Sequence, residues 1–215
     1  MNETSSIRIF LVDNHEIVRI GLKQLLEPIK DCQIVGEAES GIEAVRMTRQ
    51  SDANVLIIEI NLHDRNGIDV IKQIKKESPH LAILVFSNQR EDQYAIRALK
   101  AGASGYLNKS AHSHEILDAI QQVTHGLKYI SPELAQEMAN NLQQEHEDEP
   151  HRGLSDREFQ TLKLIASGKS VSDIAKELSL SVKTISEYRA RVLVKMRLRH
   201  NAELTHYAIK NQLVE

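Results

Sequence analysis

An α/β domain followed by an all-helical one is the fold class that this 215-residue sequence predicts, and three observations carry it. Five short β-branched runs alternate with amphipathic stretches through the first half, a pattern that builds a doubly wound, five-stranded parallel sheet with helices on both faces. The last third is helical throughout. Between the two, the charge changes sign: residues 1–150 hold 15 Lys and Arg against 23 Asp and Glu, a balance of −8, whereas residues 151–215 hold 12 against 7, a balance of +5. An acidic front and a basic back suit different partners, and the back is the candidate for a polyanion.

In order, the α/β units pair IRIFLV (7–12) with IVRIGLKQLL, CQIVGEA (32–38) with IEAVRMTRQ, and VLIIEI (55–60) with IDVIKQIKKE. LAILVFS (81–87) then pairs with QYAIRALKAG, and SGYLNK (104–109) with HEILDAIQQVT. The predicted boundaries are 1–125 for this domain, 126–152 for a linker with a helix, and 153–215 for the helical domain. The linker opens at Gly126, continues through the helix-compatible SPELAQEMANNLQQ, and ends in EHEDEP (145–150), a charged, apolar-poor run that reads as solvated.

The remaining composition excludes several classes. One cysteine, Cys32, permits no intramolecular disulfide and no C-x-x-C metal or redox motif. No run approaches 18 apolar residues and the N-terminus lacks a basic segment before an apolar core, so neither export nor membrane insertion is expected, and the cytoplasm is the expected compartment. No Ser-His-Asp or Cys-His arrangement suggests an enzyme.

Chemistry in a doubly wound sheet lies at the carboxyl ends of the strands. Those ends supply Asp13 and Asn14 after the first strand, Glu59 and Asn61 after the third, Ser87 after the fourth, and Tyr106 and Lys109 on the fifth. Asp64 and Asp69 lie beyond the strand end and read as solvated or helix-capping, and His112 and His114 as a solvated loop and helix start. The order Asp13-Asn14-His15, the loop Glu59 to Asn66-Gly67, Ser87, Gly105-Tyr106 and Lys109 resembles the receiver domain of bacterial two-component response regulators. The resemblance implies an aspartate phosphorylated at the end of the third strand and a Mg²⁺ held by it and by an acidic pair after the first. It also implies a Ser or Thr and a Lys on the phosphate, and an aromatic switch residue.

Two positions depart from that pattern. Glu59 stands at the phosphoacceptor position and Asn14 at the second acid of the metal pair; His63 also replaces the usual Pro. Magnesium requires hard, charged oxygen ligands in near-octahedral geometry, and Asn14 offers a neutral amide oxygen. Glutamate carries its carboxylate about 1.5 Å further out than aspartate. Phosphoryl transfer depends on positioning and charge neutralisation, so the expectation is no phosphorylation at Glu59 and no cofactor, with Mg²⁺ only if the remnant site Asp13, Asn14, Glu59 still functions. The anionic head of Glu59 is expected near Lys109 and Ser87, either as a standing mimic of the phosphoryl group or as a structural pair.

In the basic region, Ser155 and Glu158 form a capping box that launches a helix with Phe159, Leu162, Ile165 and Ala166 on one face. Gly168 stops it. A short helix near Val171–Leu178, a turn at Ser179-Leu180-Ser181, and a longer helix from about Val182 to Met196 make a helix-turn-helix. The longer helix packs with Ile185, Tyr188, Val192 and Met196, which turns Lys183, Glu187, Ala190 and Val194 outward with Ser186 on the flank and Arg189, Arg191 and Lys195 to the sides. Short or polar groups flanked by cations suit a major groove and its phosphate walls. Leu154-Ser155-x-x-Glu158, Ile165-Ala166-x-Gly168, Ile174-Ala175 and Ser181-Val182-Lys183-Thr184-Ile185 resemble the LuxR-type DNA-binding domain, and a receiver joined to it is the FixJ type. That resemblance implies Ser186, Glu187 and Ala190 facing bases, Lys183, Thr184 and Arg189 on the backbone, and a fourth helix near Asn201–Lys210 that pairs two domains on half-sites.

The leading expectation is therefore a sequence-specific DNA-binding transcriptional regulator, homodimeric on double-stranded DNA, with an atypical receiver. Two alternatives stay open. One is an ordinary phosphorelay regulator, with a sensor histidine kinase partner, seen as a Glu59 variant. The other is an interaction protein that sequesters an active relative.

Overall fold

The computed structural model describes residues 6–136 and 150–214, which fall into two compact units, residues 1–139 and 140–215. The predicted linker residues 137–149, including most of EHEDEP, lie outside the described residues.

The first unit contains five strands, β1 (Ile7–Val12), β2 (Cys32–Ala38), β3 (Val55–Ile58), β4 (Ala82–Ser87) and β5 (Gly105–Asn108). They alternate with helices α1 (Glu16–Leu26), α2 (Gly41–Thr48), α3 (Gly67–Glu77), α4 (Glu91–Ala101) and α5 (Ser113–Thr124). All pairings are parallel in the order β2-β1-β3-β4-β5. The order in which strands are added changes direction between β1 and β3, the switch point at whose carboxyl ends sheets of this kind place their sites. β3 is buried along its whole length, since helices cover both faces and no polar alternation is needed. Ile9, Leu11, Ile57, Leu84 and Phe86 pack on one face against Leu22 and Leu26 of α1 and Ile116, Ala119, Ile120 and Val123 of α5.

β3 ends one turn of the pleat earlier than the apolar run suggests. Ile58 is its last residue, and Glu59 continues out of the ladder while its N–H still donates to the Val12 carbonyl at 2.9 Å. The loop then doubles back: Gly67 N–H reaches the Ile60 carbonyl at 2.7 Å, and a Cβ on Gly67 would sit 2.5 Å from the Glu59 carbonyl and 2.6 Å from Ile60 Cα. Only glycine permits that approach, which keeps the loop over Glu59. Asn66 caps α3 by accepting the Ile68 N–H at 2.8 Å.

Beyond α5 the chain does not leave the sheet at once. Tyr129 bridges to Gly105, donating its N–H to the Ser104 carbonyl at 3.0 Å and accepting the Tyr106 N–H at 3.2 Å. Ser131 starts a helical turn over residues 132–136, in which Leu134 is buried.

The second unit opens with a 3₁₀ turn, Pro150–Gly153, and four helices follow: α6 (Asp156–Ala166), α7 (Val171–Glu177), α8 (Val182–Lys195) and α9 (Asn201–Lys210). Both halves of the Ser155–Glu158 capping box form, and Gly168 ends the first helix with φ at +84°. Phe159, Leu162, Ile165, Ile174, Ala175, Ile185, Val192, Met196, Leu204 and Ala208 make the core; Tyr188, expected to pack inward, is half-buried.

Candidate functional site

Four of the five strands, β1, β3, β4 and β5, deliver polar side chains to the carboxyl-end site. Asp13 follows β1 and Glu59 follows β3, each 3% exposed; Ser87 ends β4 and Tyr106 lies within β5, both fully buried. Lys109 comes from just past β5, and its ammonium lies 2.5 Å from Asp13 Oδ2 and 2.7 Å from Glu59 Oε2. It sits at ion-pair distance from both carboxylates without a well-angled hydrogen bond to either. Charge neutralisation therefore governs this triple, as burial of two carboxylates demands.

The other Glu59 oxygen is also occupied. Oε1 accepts the Ser87 hydroxyl in a short hydrogen bond and the Asn61 N–H at 2.9 Å. Asn61 itself is exposed, so its contribution to the pocket is a backbone donor. Asn14 brings an amide Oδ1 that is buried without a hydrogen-bond partner. Tyr106 points inward, its hydroxyl donating to the Gln89 carbonyl at 2.8 Å, and Asn108 shares that acceptor at 3.3 Å. Burial pushes the Tyr106 phenol well above its usual value; the Ser87 hydroxyl opposes this, and the Glu59 carboxylate adds to it.

Two further participants were given no role from the sequence, although His15 stands in the Asp13-Asn14-His15 motif. His15 gives its N–H to Asp13 Oδ1 at 2.8 Å with its ring Nδ1 3.2 Å away, and Arg19 reaches the Asp13 carbonyl at 2.6 Å while pairing with Glu37. His15 is the N-cap of α1 and Arg19 lies on its first turn, and nearness in sequence to Asp13 was the available signal. Asp64 proves to be a cap, as anticipated, but of α2: it accepts the Gly41 and Ile42 N–H groups at 2.8 and 2.9 Å. His112 and His114 stack on each other at the start of α5, 5.8 Å between centroids.

In the second unit, α7 and α8 are joined by a tight turn with Ser179 at φ +52°. Ser181 caps α8, accepting the Thr184 N–H at 3.0 Å while the two hydroxyls meet at 2.8 Å. Lys183, Ser186, Glu187, Ala190, Arg191, Val194 and Lys195 are exposed, Thr184 and Arg189 half-buried. The outward arc expected from periodicity is thus the solvent face. Not all of its cations are free, however. Arg189 Nε donates to Asn201 Oδ1 at 2.6 Å, Lys195 donates to Glu158 Oε2 at 2.6 Å, and Arg191 lies 3.7 Å from Glu187 and over the Tyr188 ring. The Lys195 ammonium and the Ser155 donors hold the Glu158 carboxyl below the usual range, against the opposing effect of its burial. Among the described residues, no helix is long and apolar enough to cross a membrane.

Comparison with known proteins agrees with both halves. The receiver domain model of response regulators matches residues 9–121, and the model of bacterial regulatory proteins of the luxR family matches residues 152–208. Response regulator UvrY of Escherichia coli (strain K12) is 35% identical over 208 residues, covering 96% of this chain and 95% of that protein. Response regulator GacA of Pseudomonas aeruginosa is 32% identical over 210 residues, covering 97% and 98%. The solved RcsB response regulator of Salmonella typhimurium matches with a TM-score of 0.71 at 26% identity, over 95% of this chain and 97% of that one. RcsB bound to promoter P1flhDC in the presence of the phosphomimetic BeF3⁻ matches at 0.69 and 27% identity, over 94% and 98%. With a receiver pocket at the strand ends and a helix-turn-helix later in the chain, the chain belongs to the two-component response regulators of the LuxR type, DNA-binding transcription regulators rather than enzymes.

Proposed function

We propose that this regulator works without phosphorylation at residue 59, because the Glu59 carboxylate already occupies the contacts a phosphoryl group would make. The observation that carries this reading is the simultaneous engagement of Glu59 by Lys109 at 2.7 Å and by the Ser87 hydroxyl, with Tyr106 buried beside them. One carboxylate brings a single negative charge where a phosphate brings nearly two, so the stand-in is weaker but permanent.

Magnesium does not fit this donor set. The Lys109 ammonium already lies against both Asp13 and Glu59, so a divalent ion would have to share with it the only two carboxylates of the set. The orphaned Asn14 Oδ1 is a buried acceptor, yet one neutral oxygen does not replace a carboxylate. The lysine thus supplies the neutralisation that a metal would give.

DNA contact falls to α8, with Ser186, Glu187 and Ala190 toward base edges and Lys183 on the phosphates. Glu187 suits a cytosine amino group, hence a G·C pair in each half-site. The matched structures include RcsB dimers bound to DNA, which supports a homodimer on paired half-sites here, and a regulator that binds bacterial DNA works in the cytoplasm. No kinase is required for activity in this reading.

The test compares oligomeric state and DNA binding of the full chain, without phosphodonor, for wild type, Glu59→Asp and Glu59→Ala. Wild type should bind a selected site and dimerise unaided, with Glu59→Ala weaker by roughly tenfold, the scale of one charge-assisted hydrogen bond. Acetyl phosphate with Mg²⁺ should leave wild type unchanged. A hydroxylamine-labile acyl phosphate at residue 59 would restore ordinary phosphorelay control, and identical behaviour of all three proteins would reduce Glu59 to a structural pair. Absence of specific DNA binding by wild type would favour sequestration of a relative.

A further inference from the structure

The outward cations of α8 do not form one class. Arg189 is half-buried, and its Nε–H is spent on Asn201 Oδ1 at 2.6 Å, the first residue of α9. Lys195 is turned back onto the Glu158 carboxylate of the α6 capping box, also at 2.6 Å. Lys183, by contrast, is exposed at the first turn of α8, and no ion pair or side-chain hydrogen bond to it is found among the described residues. α8 is therefore tied near its middle to α9 and at its end to α6.

We propose that Arg189 is a positioning residue for DNA recognition: through Asn201 it fixes the rotation of α8 relative to α9, and it does not serve as a phosphate contact. The geometry favours this on three counts. A planar guanidinium pointing into an amide acceptor has a defined direction, whereas a phosphate-seeking arginine on a groove wall stays extended and solvated until DNA arrives. The acceptor is neutral, so the interaction is directional and carries no balancing charge. It also bridges two helices, so removing it loosens the orientation of α8 within its packing, and a small shift displaces every base-facing side chain together. Base readout by Glu187 and Ser186 depends on bidentate or near-linear hydrogen bonds that such a shift would misalign. Lys195 acts on the same helix through Glu158, where it also supports the cap of α6.

Counterion release separates a brace from a phosphate contact. Each phosphate neutralised adds roughly 0.9 to the slope of log affinity against log salt, so a lost contact flattens that slope and a lost brace does not. The experiment uses full-length protein and a duplex carrying the best site that wild type selects from a random library, with affinity followed across a potassium chloride series by fluorescence anisotropy. Arg189→Gln should weaken binding about tenfold at one salt concentration, on the scale of a lost charge-assisted hydrogen bond, with the slope unchanged. Asn201→Ala, which removes no charge, should weaken binding to the same degree, and the double variant should be no weaker than either single one. Lys183→Gln should flatten the slope by about 0.9 for each protomer. The proposal is overturned if Arg189→Gln flattens the slope as Lys183→Gln does, or if Asn201→Ala binds like wild type. Thermal melting of each variant verifies that the helical unit is folded at the assay temperature, and Arg189→Lys gives a second reading of the same slope if Arg189→Gln melts below it.

Discussion

At the scale of residues, the pocket turns on one lysine shared between two buried acids. Among the described residues, Lys109 is the one cationic side chain paired with Glu59, while Asp13 has in addition the exposed His15 ring. Lys109→Met would leave two carboxylates in a site where each is 3% exposed. Breaking a buried pair from one side costs about 3–5 kcal/mol, because the remaining charge is uncompensated. Urea denaturation of this variant should show a loss of that size, and adding Glu59→Gln should recover part of it by removing one stranded charge. Equal stability of Lys109→Met and wild type would mean that the acids are satisfied otherwise. The identities of Asp13, Asn14, Glu59, Ser87, Tyr106 and Lys109 were legible in the sequence, since each falls at a predictable strand end and together they resemble a receiver. The engagement of Arg189 and Lys195 was not. Periodicity places a side chain on a face, but which neighbouring helix offers it an acceptor depends on packing between helices far apart in sequence.

At the scale of elements, the same limit separates the five strands from the segment that follows α5. The strands were visible because continuous β-branched runs of four to seven residues bounded by polar turns have few other solutions in a doubly wound sheet. Their ends were less so: Glu59 drops out of β3 because its side chain turns toward Lys109 and Ser87 while only its N–H stays with β1. Residues 127–131, at the start of the segment expected to be a linker with a helix, lie beside β5 before the helical turn at 132–136. A single bridge at Tyr129 leaves no alternating pattern to read. The edge is closed there by the Tyr129 backbone, by Lys128 Nζ on the Ala103 carbonyl at 2.6 Å, and by the Ser131 N–H on Glu91 at 3.4 Å, which covers a strand otherwise open to pairing. Gly105 makes this possible, since a Cβ there would lie 2.8 Å from the Tyr129 carbonyl oxygen and 2.9 Å from its Cβ. Gly105→Ala should displace the segment at a cost of about 1–3 kcal/mol, the usual range for overpacking. Hydrogen exchange would register it as faster exchange at the Tyr106 and Tyr129 amides with β1 and β3 still protected. Unchanged protection at both amides would show that the segment tolerates the added methyl.

At the scale of the whole molecule, acid content divides the chain, and its stability should follow pH with two opposite contributions. Several carboxyls are held below their usual range: Asp64, where burial is outweighed by the Gly41 and Ile42 N–H donors; Glu37, bonded to Lys23 and Arg19; and Glu158, bonded to Lys195 and Ser155 despite burial. A depressed carboxyl binds its proton less readily in the folded chain than in the unfolded one. Its stabilisation is complete above the unfolded value, roughly 3.9 for Asp and 4.3 for Glu, and is lost as pH falls through the lower folded value. Glu91 has the reverse sign. Burial raises it, with Glu133 and Asp92 adding to the rise and Ser131 opposing it, so the folded chain takes up this proton first. As pH drops from 7 toward about 4.3, protonation of Glu91 should stabilise the first unit slightly, before the depressed carboxyls reverse the trend at lower pH. Urea midpoints measured from pH 7 to pH 3 should therefore pass through a shallow maximum before falling, and Glu91→Gln should remove the maximum while leaving the acid limb in place. A monotonic fall in wild type, or a maximum that survives Glu91→Gln, would show that the half-buried Glu91 carboxyl does not gain its proton on folding.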